Sequence, residues 1–166
     1  MLKMASPMND IGKVAISDAI LLKPGKLTDD EFEIMKKHTA YGMETIALQE
    51  EKLGEDSFLH FAWEVAATHQ EKWDGSGYPH GLKGEDIAIS GRLMAIADVY
   101  DALISKRVYK APFSHKKAVA IIVDGKGSHF DPDMVDAFSE IKDRFKEIAL
   151  EYADFEEERE NLLADE

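Results

Sequence analysis

The chain has 166 residues, 45% of them apolar, which is enough for one domain with a core of its own. Its net charge of -13, from 33 acidic and 20 basic residues, excludes general nucleic-acid binding, which needs a basic footprint. The absence of cysteine excludes disulfides and thiolate metal sites, so any metal is left to His, Asp, Glu or backbone oxygen, donors that suit iron(II), manganese or magnesium, with zinc also open.

In chain order, the start Met1 to Pro7 is short and broken, and Pro7 opposes a continuous helix leading into Asn9-Asp10. Lys23-Pro24-Gly25-Lys26 is a turn. Thr28 with Glu31 three residues on predicts a capping box. Phe32, Met35, His38, Gly42 and Ile46 follow at spacings of three and four, which puts His38 on a buried helix face. Ser57 can cap the next helix, whose stripe of Phe58, Phe61, Ala62 and Val65 closes at His69. A Gly/Pro loop runs from Trp73 to Gly84. Ser90 can cap a helix that is apolar nearly all round, the mark of a central element, with Asp98 in its middle. Ser114 and then Asp131-Pro132 open two further helices, Pro132 fitting the first helical position. The last of them carries a stripe from Val135 and Phe138 to Tyr152 and Phe155. No alternating run supports a sheet. The predicted fold is all-α, one domain over residues 1–166, with 142–166 as an acidic C-terminal helix and tail. No apolar run reaches the ~18 residues of a membrane span, and the start is too short and broken for a signal peptide, so a cytoplasmic protein is expected.

Among the polar residues, Asp98 stands out. A carboxylate in a buried helix costs several kcal/mol unless it is paired, hydrogen-bonded or metal-bound. Pairing with Arg92 or Arg107 is the structural alternative. His38 and His69, taken singly, read as core histidines. Together with Asp10, just before Ile11-Gly12-Lys13, these residues form a mixed His/carboxylate set that suits a hydrolytic metal centre. Spacing alone leaves open whether they converge.

The stretch from about residue 9 to 141 resembles the HD-GYP family of metal-dependent phosphohydrolases. Asn9-Asp10-Ile11-Gly12-Lys13 resembles its His-Asp signature followed by Gly-Lys, and His38 its next lone histidine. His69-Gln70-Glu71 resembles its paired histidines plus Glu, and Gly77-Tyr78-Pro79 is the Gly-Tyr-Pro itself. Ala95 to Leu103, around Asp98, and then Arg107-Val108-Tyr109-Lys110 resemble its last metal helix and basic loop. The resemblance implies a compact helical bundle holding two or three divalent ions, iron or manganese, that hydrolyses cyclic di-GMP or another nucleotide phosphoester. It implies metal ligands at Asp10, His38, His69 and Asp98, a catalytic part for Asp10 and Lys13, and substrate phosphate held by Lys13, Arg107 and Lys110. It also links the Gly-Tyr-Pro loop, here Trp73, Gly77, Tyr78 and Pro79, to contacts with a signalling-domain partner.

The pattern is departed from at three places. Asn9 stands where the signature has histidine, and its amide offers only a weak neutral oxygen. Gln70 likewise replaces an imidazole with an amide. The family places further ligands on helices before the signature, and this chain has eight residues before Asn9, so the leading helices are expected to be missing. A bundle without them exposes an apolar face, for which a second copy of the chain or the C-terminal helix is the expected cover. Metal is then expected at reduced occupancy, at a single site or not at all, catalysis is expected to be impaired, and a binding or signalling role is expected in its place. An active phosphodiesterase is the alternative.

Overall fold

The computed structural model describes residues 1–53, 58–106 and 111–164, and the side chains of 50–53 are outside that description. The described residues form helices joined by turns, with no strand among them, so the all-α expectation holds. Two compact units divide the chain, Met1–Ala95 and Ile96–Glu166.

The first unit opens with α1 (Leu2–Ala5) and a 3-10 turn over Ser6–Met8, which contains Pro7 and stops the helix short of Asn9, as the sequence predicts. A second 3-10 turn, Ile11–Ala15, follows Asp10 directly. Helix α2 (Asp18–Leu21) leads into the Lys23–Lys26 turn, where Gly25 takes a φ of 136° that disfavours any side chain. The capping box is present at α3 (Asp29–Lys36): Thr28 accepts from the Glu31 amide, and the Glu31 carboxylate accepts from the Thr28 amide. The stripe read as one face from Phe32 to Ile46 is broken at Lys37, where α3 ends and α4 (His38–Leu53) begins. Phe32 therefore lies outside on α3, 45% exposed, while Ile46 and His38 on α4 are buried.

Helix α5 (Phe58–Thr68) packs against α4 and α1, and Ala5, Ile46, Leu59, Ala62 and Ala66 form the shared core. Three of those five are alanines, which lets the helices approach closely. Burying the two larger side chains stabilises by roughly 1.5–3 kcal/mol each. Ser57 lies outside the described residues. After the loop and a 3-10 turn at Gly84–Asp86 comes α6 (Ile89–Ile104). It starts one residue before Ser90, so Ser90 is not its cap. Instead the Ser90 hydroxyl donates to Glu64 of α5 at 2.5 Å. Gly91 lets α6 lie on α5, since a Cβ there would stand 1.9 Å from Thr68 Oγ1.

In the second unit, α7 (His115–Asp124) is capped by Ser114 and α8 (Pro132–Tyr152) by Asp131, both as predicted. Phe145 packs edge to face on Tyr100 and Phe138, and Tyr100 and Phe138 are tilted against each other, with ring centroids 4.9 to 6.0 Å apart. The single C-terminal stripe to Phe155 does not form. Helix α8 stops at Tyr152, and Phe155 precedes a separate α9 (Glu156–Leu163). Arg159 explains the break: its guanidinium donates to the Leu150 and Ala153 carbonyls, satisfying the end of α8. Glu158 holds the other side, its buried carboxylate accepting from the amides of Lys106, Asp154 and Phe155. The expected central helix is also less buried than its composition suggests, with Leu93 42% exposed. No described helix is long and apolar enough to cross a membrane.

Candidate metal centre

Three of the predicted ligands meet. Asp10 Oδ1 lies 3.5 Å from His38 Nε2 and 3.7 Å from His69 Nε2, and the two Nε2 atoms are 3.4 Å apart. The residues come from a loop before a 3-10 turn, the first residue of α4, and the residue after α5. Gly12 makes the meeting feasible. A Cβ at that position would fall 1.9 Å from the His38 carbonyl oxygen and 2.5 Å from the Gly42 amide nitrogen, so only glycine lets the turn that carries Asp10 lie on α4.

Each ring has its Nδ1 engaged. His38 Nδ1 donates to the Met35 carbonyl at 2.8 Å, and His69 Nδ1 to the Val65 carbonyl at 2.9 Å. A carbonyl can only accept, so both neutral rings carry their proton on Nδ1 and turn the Nε2 lone pair inward. His38 and His69 are 1% and 3% exposed. Burial holds His38 below the ordinary histidine range, which keeps it neutral, and the facing His69 pushes the same way. For Asp10, burial pushes the carboxyl up, but the Lys13 ammonium 2.7 Å from Oδ2 outweighs it and holds the group below the usual carboxylate range. The His69 contact, at 3.7 Å, exceeds hydrogen-bond length, and Asp10 Oδ1 is buried with no hydrogen-bond partner.

Two lone pairs and an anionic oxygen facing one another across 3.4 to 3.7 Å repel unless a cation lies between them. A point equidistant from the three atoms is about 2.0 Å from each, inside the ~2.0–2.2 Å span of nitrogen and oxygen bonds to a first-row dication. Among the described residues, these are the group of His and carboxylate ligand atoms close enough to share an ion. The donor set fits a divalent metal.

The other predicted residues are placed as follows. Lys13 Nζ is 2.7 Å from Asp10 Oδ2, so it is paired within the site. Asn9 is buried, 8% exposed, immediately before Asp10. Gln70 is half-buried, and its backbone carbonyl accepts from the Tyr78 amide at 3.2 Å. Asp98 lies on α6 in the C-terminal unit and is half-buried, not fully buried as its apolar helix suggests. Arg107 and Lys110 lie outside the described residues.

The Gly-Tyr-Pro loop folds back on the centre. The Tyr78 ring stands edge-on to His38, centroids 6.3 Å apart, and to Phe32 at 6.0 Å. Trp73 packs under Arg92, and Pro79 is exposed. Three of the four loop residues read as a partner-facing surface, Trp73, Gly77 and Tyr78, therefore also pack onto the protein itself.

Glu71, two residues past His69, anchors the loop. Its side chain, 2% exposed, accepts from the His80 amide at 2.7 Å and the Leu82 amide at 3.1 Å. Gly77 packs on it so closely that a Cβ would stand 2.5 Å from Glu71 Cα. One buried carboxylate thus ties the loop to the segment carrying His69. The signal was present as a Glu two residues past a candidate ligand and just before a glycine-rich run. In the C-terminal unit, a cavity of about 440 Å³ opens among Tyr100, Ile104, Phe145, Ile148 and Tyr152, and no predicted site residue among the described ones lines it.

Two buried imidazoles and a carboxylate on a helical frame, without thiolate, make a candidate divalent-metal site with the donor types that suit hydrolytic chemistry. The HD domain family model matches residues 1–134. A cyclic di-GMP phosphodiesterase of Vibrio cholerae serotype O1 is 57% identical over 154 residues, 93% of this chain and 31% of that protein. A 3'3'-cGAMP-specific phosphodiesterase 2 of the same organism is 49% identical over 154 residues, 93% of this chain and 28% of its own length. A cyclic di-GMP phosphodiesterase of Thermotoga maritima is 42% identical over 147 residues, 89% of this chain and 39% of its own length. The chain thus spans about a third of these relatives. It belongs to the HD domain family, and carries the Gly-Tyr-Pro loop of the HD-GYP type.

Proposed function

We propose that this chain is an HD-GYP-type phosphohydrolase domain that takes a cyclic dinucleotide at a depleted metal centre, with slow turnover and a binding role in signalling. The observation that carries the proposal is the Asp10, His38 and His69 triangle, with its unpartnered Asp10 oxygen. The relatives are named for cyclic di-GMP and for 3'3'-cGAMP, which supports the class of 3',3'-cyclic dinucleotides over a single substrate.

Asp10, His38 and His69 would hold a divalent ion, which would supply Lewis acidity and a water of lowered pKa. The chain's own residues do the rest. The two Nδ1 hydrogen bonds fix both tautomers, and Asp10 supplies the negative charge. Lys13, with a side chain 38% exposed, presents its remaining N–H bonds to a phosphate oxygen. Asn9 and Gln70 put neutral amides where the HD-GYP pattern has imidazoles, which is the reason for slow turnover.

The test compares the Mn²⁺-loaded chain with its Asn9→His/Gln70→His variant on cyclic di-GMP and 3'3'-cGAMP. The expectation is binding of at least one dinucleotide by both, with turnover at least ~100-fold faster in the variant. Fast cleavage by the unaltered chain would favour an active phosphodiesterase. Failure to bind either dinucleotide would remove the proposed substrate class.

A further inference from the structure

We infer that the cavity of the C-terminal unit is a second ligand site, independent of the metal reading, and that it takes a small apolar organic cation such as a quaternary amine with an aromatic body.

The cavity, about 440 Å³, lies wholly within that unit, since the residues lining it run from Ala97 to Leu162. Its size falls in the ~300–1,000 Å³ range of small-molecule sites. The walls are aromatic and come from α6, α8 and the start of α9. Tyr100 is buried against Phe138 and Phe145, and its hydroxyl is hydrogen-bonded to His115 Nδ1 at 2.8 Å, outside the lining. Its polar end is therefore engaged elsewhere, and the ring is what the cavity is offered. Phe145, Phe155 and Tyr152 add three more rings, Tyr152 being 72% exposed at the mouth.

The charge around these rings is negative. Asp101, Asp154 and Glu158 line the cavity against a single ammonium, Lys106. Lys106 is paired with Glu157 at 2.6 Å, and Glu158 is committed to three backbone amides. Asp101 and Asp154, both exposed, set the sign of the field. Aromatic faces attract a cation through the ring quadrupole, most strongly where water is excluded. This wall already takes one: Lys106 Nζ lies 5.7 Å from the centroid of the Phe155 ring. The same carboxylates repel a phosphodiester, so the cavity is closed to the cyclic dinucleotide.

Nuclear magnetic resonance of the methyl-labelled full chain tests this, with (4-hydroxyphenyl)trimethylammonium, its uncharged isostere 4-tert-butylphenol, and 4-hydroxybenzoate as probes. The cation is expected to shift the methyl signals of Ile104, Ile148 and Leu162, which line the cavity. Its dissociation constant is expected at or below ~1 mM, with the isostere at least ~10-fold weaker and the benzoate without effect. Ala149→Phe, which puts a ring into the cavity, is expected to abolish binding. Tyr152→Leu, at an exposed position, is expected to weaken the cation at least ~5-fold and the isostere by no more than ~2-fold. Shifts at other methyls, or none, overturn the site. A cation that binds no better than its isostere, or undiminished binding by Tyr152→Leu, overturns the ligand class. A parent chain that sediments as a dimer while Tyr152→Leu sediments as a monomer assigns the mouth to a second copy and overturns the inference.

Discussion

The Nε2 atoms of His38 and His69 face each other at 3.4 Å, each ring having given its Nδ1 hydrogen to a carbonyl of its own neighbourhood. Two buried lone pairs aimed at one point are a poor packing arrangement and a good chelate. Metal binding should therefore stabilise the fold. With Mn²⁺ at a hundredfold excess over its dissociation constant, the gain is about 2.7 kcal/mol. A chelator should abolish it, and His38→Asn and His69→Asn should each abolish the response to chelator. Thermal unfolding with and without the metal reads this directly. An equal melting temperature under both conditions would count against the site.

Glu71 should matter more to stability than its position in a loop-rich segment suggests. Glu71→Ala removes two hydrogen bonds to a buried charge and leaves the His80 and Leu82 amides without that acceptor. The expected loss is about 2–4 kcal/mol in urea unfolding. Glu71→Gln keeps the shape and one acceptor oxygen, so it should lose about half as much. If the alanine variant unfolds at the same urea concentration as the parent, the carboxylate does not hold the loop.

Gly12→Ala puts a methyl group where the His38 carbonyl and the Gly42 amide already stand. The turn must move off α4, at a cost of about 1–3 kcal/mol, and Asp10 moves with it. Mn²⁺ affinity should fall by at least ~10-fold even where the variant remains folded by circular dichroism. Unchanged affinity would show that the turn does not position the carboxylate.

Acid should unfold the metal-free protein early. His38 is held below the ordinary histidine range by burial, and Asp10 below the ordinary carboxylate range. Both groups take up protons more readily when unfolded. His38 therefore withdraws stability as the pH drops below about 6.5, and Asp10 as it drops below about 4. Urea midpoints of the metal-free chain measured at pH 8 and pH 5.5 should decline on the acid side, and His38→Asn should flatten that part of the curve. A midpoint independent of pH over this window would contradict the buried neutral imidazole.

Much of the fold was legible from short-range chemistry. The capping box at Thr28, the caps at Ser114 and Asp131, the turn at Gly25 and the absence of sheet all follow from patterns within a few residues. The breaks at Lys37 and after Tyr152 were not legible in this way. Periodicity continues across both, and at Tyr152 it is Arg159, seven residues on, that satisfies the helix end.

The linear motifs, through their resemblance to the HD-GYP pattern, identified the family and the two amide replacements, and residue types supplied the ligand candidates, because these are properties of side-chain chemistry along the chain. Only the tertiary structure decided that Asp10, His38 and His69 share one point, that Glu71 ties down the Gly-Tyr-Pro loop, and that Lys13 sits on Asp10. Distances of a few ångströms between residues some thirty and sixty positions apart are set by helix packing, here by alanines and by Gly12, and a linear pattern does not encode which faces meet.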